Sequence, residues 1–397
     1  MYFFLVMFGP LRNSANVVFI VDPSAFSISY NFFLTEQIQN NSNFRIIHFT
    51  RAYRKNETIF AGQKYYFSFY FLAEKLRNVC PPVLFQGVKF IEHFFSSLLL
   101  FCCVIVYRPA VIHYQWVMLP YVDLFFIRLN KLFSPVVHTI HNDVAYHGKA
   151  SSKLMIWGYD RVVRCFDMIF VHSEKSRNYW CDQKNIPPFK TCIVHHGPIP
   201  LPSKKSHQLV KRKQILFFGF VRDYKGVHDL ITAFRECVND GLGEWDLIVA
   251  GKILESREQL LYFKNDPMLQ KKLVFHDEYL SDEQLADLVG ESSIIVFPYR
   301  SVMASAALMS VLGTKCTILA SDLSYFSERI EHSKNGYLFA NQNLEDLVVK
   351  MKELISDENL RKRLAETWKR DTDMNSEWIE SGLKTVEIYH QLTRSNL

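Results

Sequence analysis

Two cations, Arg222 and Lys225, sit between Gly219 and Gly226 in the stretch Gln214 to Phe234, QILFFGFVRDYKGVHDLITAF. Ile215 to Phe218 is an apolar run of strand length, and Val227, Leu230, Ile231 and Phe234 recur on one face of a helix. A strand, a glycine-bounded turn and a helix N-terminus together suit an anion. The first free N–H groups of the helix and the positive end of its dipole favour phosphate. An ordinary strand-to-helix connection with solvated charges fits the same residues.

His141 ends the run VVHTIH (136–141) at its carboxyl end, where a parallel sheet places its ligands, although a capping or core histidine reads the same way. On a strand His138 and His141 face opposite sides, which disfavours a metal shared by His138, His141 and His147. Asp371-Thr372-Asp373 lies in a polar helical tail and reads as surface. No GxGxxG follows the first strand, and neither GxxxxGK[ST] nor GxSxG occurs. Dinucleotide-binding, P-loop and α/β-hydrolase chemistries are therefore disfavoured.

The elements that position these residues alternate. Short apolar runs at Val17–Val21, Arg45–Phe49, Val111–Tyr114, Val136–Ile140, Met168–Val171 and Cys192–Val194 read as strands, with helical patterns between several of them. Residues 51–90 give no clear pattern, and their basic cluster Arg51, Arg54 and Lys55 reads as a solvated face. Pro198 to Lys213 breaks the rhythm with three prolines and a basic polar run, as a linker would. Strands resume at Ile215–Phe218, Leu247–Ala250, Leu273–Phe275, Ile294–Phe297 and Thr317–Ala320, with a capping box, Ser281 and Gln284, opening one helix. Such alternation predicts an α/β protein of two doubly wound, Rossmann-like parallel-sheet domains. Their expected bounds are residues 1–198 and 214–375, joined by a linker at 199–213, with the cleft between them as the default site. A last helix with Trp378, Ile379, Val386 and Tyr389 has no later strand to cover and is expected to cross back to the first domain over residues 376–397.

Charge is uneven. Residues 1–200 hold 20 Lys+Arg against 11 Asp+Glu, whereas the rest hold 26 against 29. With many of the chain's 33 Phe, a basic first half suits an anionic membrane surface; no nucleic-acid recognition module is readable. Met1 to Phe8 is too short and lacks the preceding positive residues of a signal peptide. Phe94 to Tyr107 is about 14 residues, short of the roughly 20 a spanning helix needs, and reads as a buried helix running into a strand, with a helix dipping into one monolayer as the alternative. Eight scattered cysteines without a CxxC pair suit a reducing compartment.

Collinear segments then carry a resemblance: HYQWVMLPYVDLF (113–125), HTIHND (138–143), VHSEKSRNYW (171–180), CIVHHGP (192–198), FFGFVRDYKGVHDLITAF (217–234), VFPYRSVMASAALMSVLGTKCTILASD (296–322), SERI (327–330) and NGYLF (335–339). Over about residues 110–340 the chain resembles the retaining GT-B glycosyltransferases of family 4, glycosyl transferases group 1, of the surface-polysaccharide type. The resemblance implies a nucleotide-diphosphate sugar as donor, transfer to a saccharide or lipid-linked saccharide, no metal and no cofactor, and a cytoplasmic protein peripheral on the inner face of the plasma membrane. It places Gly219, Arg222 and Lys225 on the donor diphosphate and His141 beside the transferred sugar, so that His141, Arg222 and Lys225 form the catalytic set. Arg300, Ser301, Ser305 and Glu328 join the donor side, and Ser27 and Ser29 the acceptor side. One departure stands out: the positions where the family carries a glutamate pair hold Val302 and Ser310. A non-catalytic GT-B protein, or a GT-B phosphorylase or epimerase, is the alternative.

Overall fold

The computed structural model describes residues 16–53, 64–76, 79–142, 153–201, 211–371 and 376–394, apart from 303, 313 and 315. The chain divides into two compact units, unit 1 of Met1–His196 with Ser376–Leu397, and unit 2 of Gly197–Asn375. Most of the stretch expected as a linker, along with Arg54, Lys55, His147 and Thr372-Asp373, lies outside the described residues.

Unit 1 is built on strands β1 (Val17–Asp22), β2 (Arg45–Arg51), β3 (Lys64–Phe69), β4 (Val111–Tyr114), β5 (Val136–Thr139), β6 (Met168–Val171) and β7 (Thr191–Ile193). They form one sheet in the order β3-β2-β1-β4-β5-β6-β7, with every pairing parallel. Because helices cover both faces, the central strands are apolar without alternation, and all six residues of β1 are buried. The direction of winding reverses between β1 and β4, and such switch points leave an open crevice at the carboxyl ends of the strands.

Three sequence expectations change here. Residues 51–90 hold strand β3 and the short helix Phe71–Leu76. Arg51 is not solvated but buried, its guanidinium donating to the Ser24 carbonyl at 3.0 Å. The Phe94–Tyr107 run is only the second half of a 26-residue helix, Pro82–Tyr107, which by length and composition could cross a membrane. Gln86, Lys89, Glu92 and His93 interrupt the apolar run in sequence, yet all are tolerated in a helix, and Pro82 stands in its first turn where no N–H is needed.

The helix Ser376–Arg394 closes unit 1. Trp378 and Tyr389 are buried, the Ser381 hydroxyl donates to the His195 carbonyl at 2.6 Å, and Gly382 lets the helix approach Gln37 on the helix Ile28–Asn40. Ile379, expected to pack, is exposed.

Unit 2 repeats the plan with β8 (Arg212–Phe218), β9 (Asp246–Ala250), β10 (Leu273–His276), β11 (Ser292–Phe297), β12 (Thr317–Ser321) and β13 (Tyr337–Phe339), in the order β10-β9-β8-β11-β12-β13, again all parallel. Its switch point lies between β8 and β11. The helix Asp282–Glu291 opens with the capping box read from sequence, Ser281 accepting from the Gln284 N–H and Gln284 from the Ser281 N–H.

Unit 1 buries histidines along its sheet. His48 meets the Thr35 hydroxyl, His113 lies between Tyr389 and Thr139, and His138 lies between the Tyr114 carbonyl and Tyr159. Burial holds them down to about 3, about 3 and about 4 respectively. Each is neutral in the fold but free to protonate in the unfolded chain, so stability falls as pH drops below about 6.5. Asp22 works the other way: burial pushes its carboxyl up to about 6 and the fold takes its proton first. Together these four groups predict a loss approaching about 3 kcal/mol per pH unit near pH 5. Denaturant midpoints for unit 1 measured from pH 7 down to pH 5 check this; a flat profile contradicts it.

Candidate functional site

The turn after β8 is fixed by two glycines. Gly219, at φ 103°, continues the ladder by donating to the Ala250 carbonyl at 2.9 Å, and a Cβ there would stand 3.1 Å from the Lys225 Nζ. The chain passes through a 3-10 turn, Asp223–Lys225, to Gly226, which caps the helix Val227–Asn239 at φ 65°. A Cβ on Gly226 would lie 1.9 Å from the Pro298 carbonyl oxygen, so only glycine lets this turn meet the segment following β11. Arg300 ties the same two segments. Its N–H donates to the Tyr224 carbonyl at 2.7 Å, and its guanidinium grips Asp229, in the first turn of the helix, at 2.8 and 3.0 Å.

The two cations of the turn differ. Arg222 donates to Glu255 at 3.2 Å, and the other oxygen of Glu255 accepts the Asp223 N–H at 3.0 Å. Lys225 has neither a carboxylate nor a hydrogen-bond partner for its ammonium among the described residues. The Nζ lies 5.1 Å over the Tyr299 ring and 6.0 Å from the Phe217 ring. Burial, with Arg222 nearby, pulls its pKa below that of an ordinary lysine, against an upward pull from Tyr224. A half-buried cation among rings, on a turn that opens into a helix N-terminus, can receive an anion.

Of the remaining donor-side candidates, Ser305 caps the helix Ala306–Val311 by accepting the Leu308 N–H at 3.2 Å. Ser301 and Glu328 are exposed. Arg300 is committed to Asp229 and acts as a clamp, not as a free cation. Val302 is buried in the core of unit 2, and the Ser310 hydroxyl turns back to the Ala307 carbonyl at 2.9 Å.

In unit 1, residues beyond the carboxyl ends of β4 to β7 converge. β5 stops at Thr139, so His141 lies past the strand rather than on it. Trp116 stacks on His141 with ring centroids 5.2 Å apart, and Tyr30 meets His141, His172, His196 and Trp378 at 4.9 to 5.4 Å. His172 Nδ1 faces the Val194 carbonyl at 2.8 Å and donates to it, and His172 Nε2 lies 3.2 Å from His141 Nδ1. Burial, then the neighbouring histidines His172 and His196, hold His141 neutral, and its Nε2 donates to the Gln115 side-chain oxygen at 2.9 Å. Ser27 is occupied, its N–H donating to Asp22 and its hydroxyl accepting the Trp116 indole N–H at 2.8 Å. Ser29 is half-buried in the first turn of the helix Ile28–Asn40. Sequence reasoning missed His172 and His196, although each directly or nearly follows a short apolar strand, as His141 does. Among the described residues no three His, Cys, Asp or Glu side chains are grouped to hold a metal.

Two family models match this arrangement: Glycosyltransferase Family 4 over residues 66–198 and Glycosyl transferases group 1 over residues 202–371. The two matched segments together resemble the two domain types of a GT-B glycosyltransferase. An uncharacterized glycosyltransferase of Methanocaldococcus jannaschii is 29% identical over 183 residues, covering 45% of this chain and 48% of that protein. A second from the same organism is 21% identical over 45% of this chain and 44% of its own length, so the matches span about half the length of these curated relatives. The fold agrees with sucrose-phosphate synthase from Thermosynechococcus elongatus (TM-score 0.71, 13% identity, 96% of this chain and 100% of that one). It agrees equally with Anabaena HepE in complex with UDP and glucose (TM-score 0.71, 13% identity, 95% and 100%). The group 1 domain thus holds the Lys225 turn and the family 4 domain holds His141.

The glycine geometry of the group 1 domain is open to a paired comparison. Gly241, at φ 86°, has nothing within 4 Å of an added Cβ, so Gly241→Ala costs about 1 kcal/mol from backbone strain alone. Gly226→Ala adds the clash with Pro298 and costs about 3 kcal/mol or more. Denaturant unfolding of both variants measures the difference; equal losses contradict the packed turn.

Proposed function

We propose that the protein is a retaining glycosyltransferase that moves a sugar, of the hexosyl or a related class, from a nucleotide-diphosphate sugar to a saccharide or lipid-linked saccharide. The observation that carries this reading is the Lys225 ammonium, held without a carboxylate beside Gly219. Its missing counter-charge is what a diphosphate supplies. Arg222 joins it by exchanging Glu255 for a phosphate oxygen, and the N-terminus of the helix Val227–Asn239 adds backbone donors. These groups neutralise charge that grows on the leaving diphosphate, work that needs no metal in this reading.

Retention follows from attack on the face the donor phosphate leaves. The bond from the anomeric carbon to the phosphate oxygen breaks, and the nucleoside diphosphate departs with the electron pair. The acceptor hydroxyl oxygen bonds to the anomeric carbon and passes its proton to the departing phosphate. No protein base is required. His141, held neutral by burial, is suited to a hydrogen bond with a sugar hydroxyl rather than to proton transfer. UDP in the Anabaena HepE complexes supports a uridine nucleotide as the first donor to try. A lipid-linked acceptor and a site of action at the inner face of a membrane agree with the basic, Phe-rich first half of the chain.

One observation favours a second reading, a GT-B protein that binds a nucleotide without transfer. Val302 and Ser310 stand where the family carries its glutamate pair; the first is core and the second bonds to its own helix. Nucleoside-diphosphate binding without transfer or donor hydrolysis distinguishes it.

Lys225→Met tests the main reading. Removing an unpaired, half-buried ammonium leaves the melting temperature unchanged or raised, while kcat/KM falls about a hundredfold or more, equivalent to about 3 kcal/mol of transition-state stabilisation. Unchanged turnover overturns the site. A fall in turnover matched by a collapse of the fold assigns Lys225 to structure instead.

A further inference from the structure

We propose that the outer face of neighbouring helices in unit 1 is a membrane-docking surface, with the helix Pro82–Tyr107 lying in the plane of one leaflet. This sharpens the membrane reading above and rests on it, but not on the donor chemistry.

The helix is apolar on both sides, and only one side is used. Leu100, Cys103 and Val104 enter the core of unit 1, while His93, fully buried, bonds Tyr70 at 2.7 Å and Asp123 at 2.6 Å. Ser96 donates to the Ser68 carbonyl at 2.5 Å. The opposite stripe is exposed: Leu84, Ile91 (56% exposed), Phe95 (62% exposed), Leu98 and Val106 recur at helical spacing over a helix about 39 Å long. A helix apolar all round belongs in a core or in lipid, and here half of it has no protein partner among the described residues.

Adjacent helices extend the stripe sideways. Phe94 meets Phe126 of the helix Pro120–Asn130 at 5.4 Å, and Phe125 beside it is exposed. Pro120 and Tyr121 of that helix pack against Gly158 of the helix Lys153–Cys165, from which Trp157 projects half-exposed under the Arg161 guanidinium at 3.6 Å. An exposed aromatic and aliphatic face of this kind, with a tryptophan beside a cation, fits the boundary between headgroups and acyl chains.

Charge selects the occupant. Every acidic side chain on the helices Phe71–Leu76, Pro82–Tyr107, Pro120–Asn130 and Lys153–Cys165 is engaged by the protein itself. Glu74 faces Arg51, Glu92 accepts the Leu72 and Ala73 N–H groups, Asp123 takes His93, and Asp160 takes Lys184. Lys75, Arg128, Arg161 and Arg164 remain exposed at the rim. The surface therefore presents apolar side chains ringed by positive charge, the complement of an anionic leaflet. The helix does not span, because the polar bonds of His93 and Ser96 and the core contacts of Leu100 to Val104 hold its inner side on the sheet.

Sedimentation of the full chain with lipid vesicles tests this. The protein binds vesicles of mixed phosphatidylcholine and phosphatidylglycerol, binds phosphatidylcholine alone much less, and is released by salt and by an alkaline carbonate wash. The double variant Ile91→Glu with Phe95→Glu keeps its melting temperature, since both side chains are exposed, and binds at least about tenfold more weakly. Lys225→Met binds vesicles as the parent does, which separates this surface from the donor site. Resistance to carbonate overturns the in-plane placement. Unchanged binding by the double variant, or equal binding to neutral vesicles, overturns the surface. A concentration-dependent dimer that the double variant abolishes overturns it too, by assigning the face to a second copy of the chain.

Discussion

An ammonium half-buried among rings with no carboxylate beside it is costly, and in unit 2 the fold is arranged so that Lys225 bears that cost. Everything near it serves the arrangement. Gly226 has no side chain because the Pro298 carbonyl occupies the space, and Arg300 bonds both Tyr224 and Asp229 so that the segments after β8 and β11 stay together. Tyr299, carried by the second segment, supplies the ring face that the ammonium meets. The constraint is thus a close approach of two backbone segments at a switch point, and the unpaired charge is its chemical product. Nearby Arg222 illustrates the alternative, a cation of the same turn that the fold neutralises with Glu255.

Unit 1 uses the same topology for a different surface. The strand ends there carry imidazoles and rings instead of cations, and His172 Nδ1 donates to the Val194 carbonyl, which can only accept. Neutrality is the common theme, since buried His48, His113 and His138 are also kept uncharged. The two parallel sheets therefore present contrasting chemistry at equivalent places, charge in one unit and uncharged hydrogen-bonding groups in the other.

Much of this was legible in the sequence wherever one residue type answers to one physical demand. The run ILFF followed by Gly219 and Gly226 announced a strand, a tight turn and a helix, and the structure has all three. Short buried strands such as MIFV were equally plain, because parallel strands covered on both faces are apolar throughout. What stayed hidden depends on partners distant in the chain. Arg51 looked solvated beside Arg54 and Lys55, and only the Ser24 carbonyl, 27 positions away, explains its burial. Arg300 stands on the donor side by resemblance, and only Asp229, 71 positions away, shows it as a clamp between two segments. The helix Pro82–Tyr107 reads as shorter in sequence because its polar residues face inward to Asp123 and Ser68 or lie along its flank, a pattern that apolar periodicity cannot register.

The central claim is that Lys225 awaits a diphosphate, and the proton it exchanges on binding tests that most directly. Its ammonium is less basic than an ordinary lysine in the free protein, and a diphosphate beside it restores that basicity. Calorimetric titration with UDP across the alkaline range up to about pH 10, near the pKa of an ordinary lysine, repeated in buffers of different ionisation enthalpy, reads the protons taken up. The account predicts net proton uptake by the parent chain and none attributable to this site in Lys225→Met. Identical buffer dependence in the two proteins, or no UDP binding by the parent, contradicts it.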